Sequence, residues 1–167
     1  MFKKGDLVLY SAHGICKIDD ICEKTIANNT RSYYLLYPME DRQLKISIPV
    51  DSDKVIIQAL LTKEESESII ESFKDEGYEW IDIDNERNTK YSEILKKGNR
   101  SEIAKIGNTL IRKKNELEGN GKKFHEKDKK ILISIQNILF SELAFILNTT
   151  TEEIEEKINS YISNEKN

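Results

Sequence analysis

At Thr62 the hydrophobic period of this chain changes, and that change limits what the chain can fold into. Before it, apolar and polar residues alternate, as in "LKISIPV", where Leu44, Ile46 and Ile48 face one way and Lys45 and Ser47 the other. After it, apolar residues recur every three or four positions, as at Ile154, Ile158 and Ile162. Strands followed by helices, rather than strands interleaved with them, predict an α+β chain with segregated halves. A length of 167 residues leaves each half enough chain for its own core. We therefore expect a β domain over residues 1–62 and an all-α domain over residues 63–167.

Within the first half, "DLVLY", "GICKIDDICEK", "SYYLLYP" and "QLKISIPV" read as strands rich in β-branched and aromatic residues. "ANNT" (Ala27 to Thr30) predicts a hairpin turn, since Asn tolerates positive φ. Pro49 marks a strand end or an edge. Four or five short strands in about 60 residues predict a small, strongly bent β-barrel. In the second half, Thr62 and Glu65 have capping-box spacing, Ile69, Ile70 and Phe73 form an apolar stripe, and Gly77 is expected to end that helix. "YEWIDIDNERN" (Tyr78 to Asn88) reads as a connector, so residues 63–88 hold a first helix and an acidic link. A short helix with Tyr91, Ile94 and Leu95 inward should stop at Gly98-Asn99. A helix from Ser101 to Leu117, a long one from Phe124 to Leu147 and a capped last one after Thr150 complete a helical bundle. The second half of the long helix is apolar almost all round, which predicts burial by neighbours on several sides.

Chemistry at a reaction centre is not expected. No apolar run approaches the roughly 20 residues of a bilayer span. Lys3, Lys4 and Asp6 also stand where a signal peptide would turn apolar, so no membrane association and a cytoplasmic, reducing setting are predicted. In "YSAHGICKI", His13 and Cys16 straddle a glycine between two strands, and no third group is placed to orient a base. Cys16 and Cys22 are six residues apart, so on an unbroken strand they share a face as two small buried side chains. Two cysteines and two scattered histidines give no zinc spacing, and no glycine fingerprint for phosphates is present. The expectation is no catalytic residue, no metal and no cofactor.

The net charge of -4 hides a segregation that points to a polyanion. Residues 1–62 are balanced and residues 63–85 carry a net of -7, whereas residues 86–130 carry +7 and residues 131–167 carry -4. Such a basic block binds phosphates if its residues cluster in space. Arg87, Lys90 and Lys97 belong to the short helix, and Lys90 and Lys97 project from one side of it. Arg100 and Arg112 follow on the next helix. An excess of lysine over arginine suits phosphate contacts better than base readout. Trp80, beside this block, is either a core residue or an aromatic that stacks on or wedges between bases.

"KKGDLVLYSAHGICKIDDI" resembles the opening of the CarD/CdnL/TRCF family: a Gly-Asp, alternating hydrophobics, a Tyr, then His-Gly and a second strand. "ISIPVDSDKV" is similar to its second hallmark, a strand ending in Ile-Pro-Val before an acidic turn. Length and element order resemble the stand-alone CarD-type regulators. The resemblance implies a bacterial transcription regulator without enzymatic activity. Its N-terminal Tudor/SH3-like barrel would bind the β-subunit lobe of RNA polymerase. Its helical domain would contact promoter DNA, independently of sequence, at the upstream fork of the bubble, modulating open-complex stability. The polymerase surface carried over is Lys24, Ile26, Tyr33 and Ser47, with Lys45 standing in for the arginine that relatives have at Ser47. "IIQALL" also departs, standing where a Gly and an Arg are common.

Relatives place a wedge tryptophan four residues before the aromatic of the short helix, a position held here by Arg87, while Trp80 lies eleven residues before Tyr91. Either Trp80 reaches the fork through a remodelled connector, or phosphate contacts through Arg87, Lys90 and Lys97 dominate. The alternative function is a polymerase- or protein-binding module that never touches DNA. A monomer, nucleoid-associated through the polymerase, is expected.

Overall fold

A computed structural model describes residues 1–54 and 57–164 of the chain. They fall into two compact units, one ending at Leu60 and the other beginning at Leu61. The first unit is an antiparallel sheet of five strands: β1 (Leu7–Tyr10), β2 (Gly14–Ile26), β3 (Asn29–Pro38), β4 (Ile46–Pro49) and β5 (Ile57–Ala59). The spatial order is β4-β3-β2-β1-β5, so β4 and β5 stand at opposite edges. Among the described residues the pairing is that of an open sheet, where the strand count suggests a barrel. Val55 and Ile56, which fall in the acidic-turn hallmark and the divergent "IIQALL", lie outside the described residues.

The Ala27–Asn28 turn has positive φ at both residues, the signature of the tight turn whose twist matches that of its strands. It sets the register Ile26↔Asn29, Lys24↔Arg31 and Cys22↔Tyr33. Val8, Cys16, Ile18, Tyr34, Leu36 and Ile48 form the core on one face of the sheet. The cysteines depart from the expectation that they share that face. Cys16 opposes Pro38 and Cys22 opposes Tyr33, with a register shift between Ile18 and Asp20. The extra residue in β2 is a β-bulge, and one inserted residue sends every later side chain to the other face. Cys16 is therefore fully buried, while Cys22 is half-buried on the face away from the core. His13 is an exposed turn residue whose N–H donates to the Tyr10 carbonyl at 3.1 Å.

The second unit contains α1 (Lys63–Glu71), α2 (Asp84–Lys97), α3 (Arg100–Gly119), α4 (Glu126–Ile135), α5 (Ser141–Ile146) and α6 (Thr151–Asn164). The capping box at Thr62 forms in both directions, with Glu65 N–H on the Thr62 hydroxyl and Thr62 N–H on the Glu65 carboxylate. A 3₁₀ turn, Ser72–Lys74, continues α1 and ends before Gly77. Gly77 therefore does not stop a helix. A Cβ there would lie 2.2 Å from the Thr109 hydroxyl, so glycine is what lets the connector lie against α3. α2 begins at Asp84, earlier than the sequence pattern suggests, and ends at Gly98 in the left-handed conformation.

α4 and α5 are joined by five residues of π-helix, Gln136–Phe140. The wider turn rotates the apolar stripe part-way along the run. Ile135, Leu139, Phe140 and Leu143 are fully buried, but Ile133 and Phe145 are about half exposed, against the expectation of burial all round. Ile154, Ile158 and Ile162 of α6 are buried on one face, as their spacing predicts. Burial of each contributes about 2 kcal/mol of apolar transfer free energy.

Burial pushes the Cys16 thiol up to about 11. Thiolate is the reactive form, so alkylation of the native protein near about pH 8 should label Cys22 and spare Cys16. Labelling of Cys16 as fast as Cys22 would contradict the bulge.

Candidate functional site

The residues expected to dock a partner gather on the face of the sheet that the core leaves uncovered. Register puts Lys24, Ile26 and Arg31 on that face, with Tyr33, Leu35 and Ser47 beside them. The Lys24 ammonium donates to the Ser47 hydroxyl at 2.9 Å and lies 5.5 Å from the centre of the Tyr33 ring. Ile26 is 61% exposed at the tip of the hairpin, and Lys45 is exposed just before β4. Arg31 had no part in the sequence-based set. It reaches Asp51 with two bonds of 3.1 Å from one nitrogen, and its pairing with Lys24 could have been read from the turn at Ala27–Asn28. The surface offers a mixed aromatic, aliphatic and cationic patch.

The residues expected to contact DNA separate by type. Arg87 is only 2% exposed. Its Nε and Nη2 donate to the two oxygens of Asp128 at 2.8 and 2.7 Å. Nη1 donates to the Ile81 carbonyl at 2.7 Å, and Nη2 also donates to Asp84 at 2.8 Å. Trp80 lies over the guanidinium, 4.1 Å from ring centre to carbon. Burial works against this charge, but the bonds from Asp128 and Asp84 overcome it and hold the guanidinium protonated. The Arg87 bond in turn holds the exposed Asp84 carboxyl below its usual range. The expectation that Arg87 meets phosphate is corrected: an apolar surround and a buried carboxylate make it an internal strut.

Arg100 and Arg112 are engaged in the same way. Arg100 grips the fully buried Glu142 with bonds of 3.1 and 3.0 Å, and Glu142 also accepts the Leu61 N–H at 2.9 Å. Arg112 donates to Asn108 at 2.6 Å and to the Phe73 and Asp75 carbonyls at 3.2 and 3.1 Å. Those carbonyls lie where the first helix ends, so Arg112 offsets the negative end of its dipole. Three of the expected DNA contacts thus hold the helical unit together. Lys90 and Lys97 are exposed on α2. Trp80 is partly buried and packs against the helical core.

Tyr78, Lys105 and Lys113 were missed as a group. The Thr109 hydroxyl accepts the Tyr78 N–H at 2.7 Å and itself donates to the Lys105 carbonyl at 2.9 Å. The connector is thereby fixed along the face of α3 that carries Lys105, Thr109 and Lys113. The i, i+4, i+8 spacing of those three was the available signal. Among the described residues no three His, Cys, Asp or Glu side chains are grouped to hold a metal ion. No single helix among them is long and apolar enough to cross a membrane.

With this geometry in place, comparison with known families gives two matches. Residues 2–61 match the CarD-like/TRCF RID domain, and residues 68–159 match the CarD C-terminal domain. A search of curated proteins found no match.

Asp128→Ala would leave the Arg87 guanidinium buried without its main partner, which costs about 3–5 kcal/mol. Urea denaturation of the full chain should read that loss, whereas Asp84→Asn, at the exposed end of the network, should cost far less. Equal effects of the two substitutions would contradict the assignment of Asp128 as the principal partner.

Proposed function

We propose that this chain, which belongs to the CarD-like family, is a non-enzymatic transcription regulator that docks on the β-subunit lobe of RNA polymerase through its sheet unit. Family membership carries the coarse reading, transcription regulation through polymerase interaction. The observation that supports the docking face is the cluster of Lys24, Tyr33 and Ser47 on the side of the sheet away from the core. In this reading the strands curl into a Tudor-like module, and Lys45 adds a cation at its edge. The helical unit, tethered at high effective concentration, then meets promoter DNA at the upstream fork through exposed lysines, Lys90 and Lys97 among them. Weak phosphate contacts suffice under such tethering, and the bound complex alters open-complex lifetime. The site of action is the bacterial cytoplasm.

A second reading, a polymerase-binding module without DNA contact, is favoured by one observation. Arg87, Arg100 and Arg112 all bind groups within the helical unit. Promoter assays separate the two readings.

Lys24→Glu should weaken retention of RNA polymerase core by about tenfold or more in a pull-down with the full chain. Lys90→Glu with Lys97→Glu should leave that retention intact and change open-complex lifetime. Retention unaffected by Lys24→Glu would contradict the docking face. A lifetime unaffected by the lysine changes would favour the second reading.

A further inference from the structure

The rod that runs from α4 through the π turn into α5 presents one solvent-facing stripe: Ile133, Asn137, Ser141 and Phe145. Ile133 is 44% and Phe145 46% exposed, Asn137 is exposed and Ser141 is half-buried. In an unbroken α-helix, the twelve residues from Ile133 to Phe145 would leave the two side chains about 120° apart. The wider π turn takes back about half of that angle, so Phe145 comes round to the side of Ile133. Between Ile131 and Leu147 the only charged residue is Glu142, which is fully buried. The stripe therefore carries no charge, in a chain that is 34% charged. Charges return at its two ends with opposite sign. Lys129 and Lys130 are exposed one turn before Ile133, with Glu126 a turn further back. Glu152 and Glu153 are exposed in the first turn of α6, which leaves the rod at 102°.

We propose that this stripe is a contact between two copies of the chain, packed antiparallel about a two-fold axis that passes beside Leu139. Three observations carry it. First, the stripe reads apolar, polar, polar, apolar at spacings of four residues, and such a pattern is complementary to its own reverse. The two-fold sets Ile133 of one copy against Phe145 of the other, and the Asn137 amide against the Ser141 hydroxyl. Second, the ends are complementary in charge. The antiparallel arrangement brings Lys129 and Lys130 towards Glu152 and Glu153 of the second copy, whereas a parallel one would set like charges together. Third, an uncharged stripe has nothing with which to hold a polyanion, and apolar side chains leave water most favourably against a matching apolar face.

Ile133 and Phe145 together leave about 200 Å² exposed per copy, against the roughly 800 Å² per partner that a stable interface buries. The pair is therefore weak and reversible. It is half formed at about 100 μM chain and absent at about 1 μM, where the chain is a monomer. Because the contact is isologous, it closes at two copies. It is separate from the polymerase and DNA contacts proposed above and does not depend on them.

The test is sedimentation velocity of the full chain from about 1 to about 300 μM. The average sedimentation coefficient should rise with concentration and level off at the value of a dimer. Phe145→Glu, shown folded by circular dichroism, should weaken association by about tenfold or more, and Ile133→Lys should do the same. Carrying both substitutions in one chain should restore pairing, now sensitive to salt, because the two-fold sets the two new charges opposite each other. A chain that stays monomeric at about 300 μM would overturn the proposal. If Phe145→Glu then weakens retention of RNA polymerase, the stripe is a polymerase contact instead. Association that survives Phe145→Glu would place the contact on another face and overturn the proposal as well. Growth beyond the dimer, or a double variant no better than the single ones, would overturn the antiparallel two-fold arrangement.

Discussion

A guanidinium that is 2% exposed has to be matched at nearly every donor, and the arrangement of the helical unit follows from how Arg87 is matched. Asp128 reaches it from α4, Asp84 from the first turn of α2 and the Ile81 carbonyl from the connector, while Trp80 covers its face. One charge thus fixes α2 against α4 and draws the connector over both. Thr109 and Gly77 complete the placement along α3. With the connector held, Tyr78 and Trp80 come to lie among Lys90, Lys105 and Lys113.

The same logic separates the two kinds of basic residue. Arg87, Arg100 and Arg112 each present a planar fork to a carboxylate or to backbone carbonyls, the geometry in which arginine outperforms lysine. The lysines of α2 and α3 keep flexible stems and hydrated heads at the surface. A block with a net charge of +7 therefore contributes to architecture through its arginines and leaves most of its lysines at the surface. The sheet unit shows a comparable division between faces. One face is filled by Val8, Cys16, Ile18, Tyr34, Leu36 and Ile48, and the other presents Lys24, Tyr33 and Ser47.

Much of the fold was legible because it depends on local period and capping. The change at Thr62, the turn at Ala27–Asn28, the capping box and the stripe of α6 all rest on residues close in sequence. What was not legible depends on residues far apart or on single-residue insertions. The bulge at Ile18/Asp20 leaves alternation intact on either side, so nothing in "GICKIDDICEK" tells Cys22 to face away from Cys16. Ile133, off the buried stripe of α4, and Phe145, beyond the π turn, are both about half exposed, and composition marks neither. Arg87 reads as one more basic residue until Asp128, forty-one positions later, is brought beside it. Lys24 and Tyr33 entered through the family resemblance alone, because unbroken alternation would set Lys24 on the face of Cys16, whereas alternation in "LKISIPV" does turn Ser47 away from Ile46 and Ile48. Lys105 and Lys113 share a helix face by spacing, but Tyr78 comes beside them only through its bond to Thr109.

In the proposed function the two units meet different partners through different chemistry. Hydrogen–deuterium exchange of the full chain, first with RNA polymerase and then with polymerase and promoter DNA, tests it most directly. Polymerase alone should slow exchange in β2, β3 and β4, and addition of the promoter should slow it further in residues 78–90 and 105–113. Protection by polymerase confined to the helical unit, with β2 to β4 unchanged, would contradict the account.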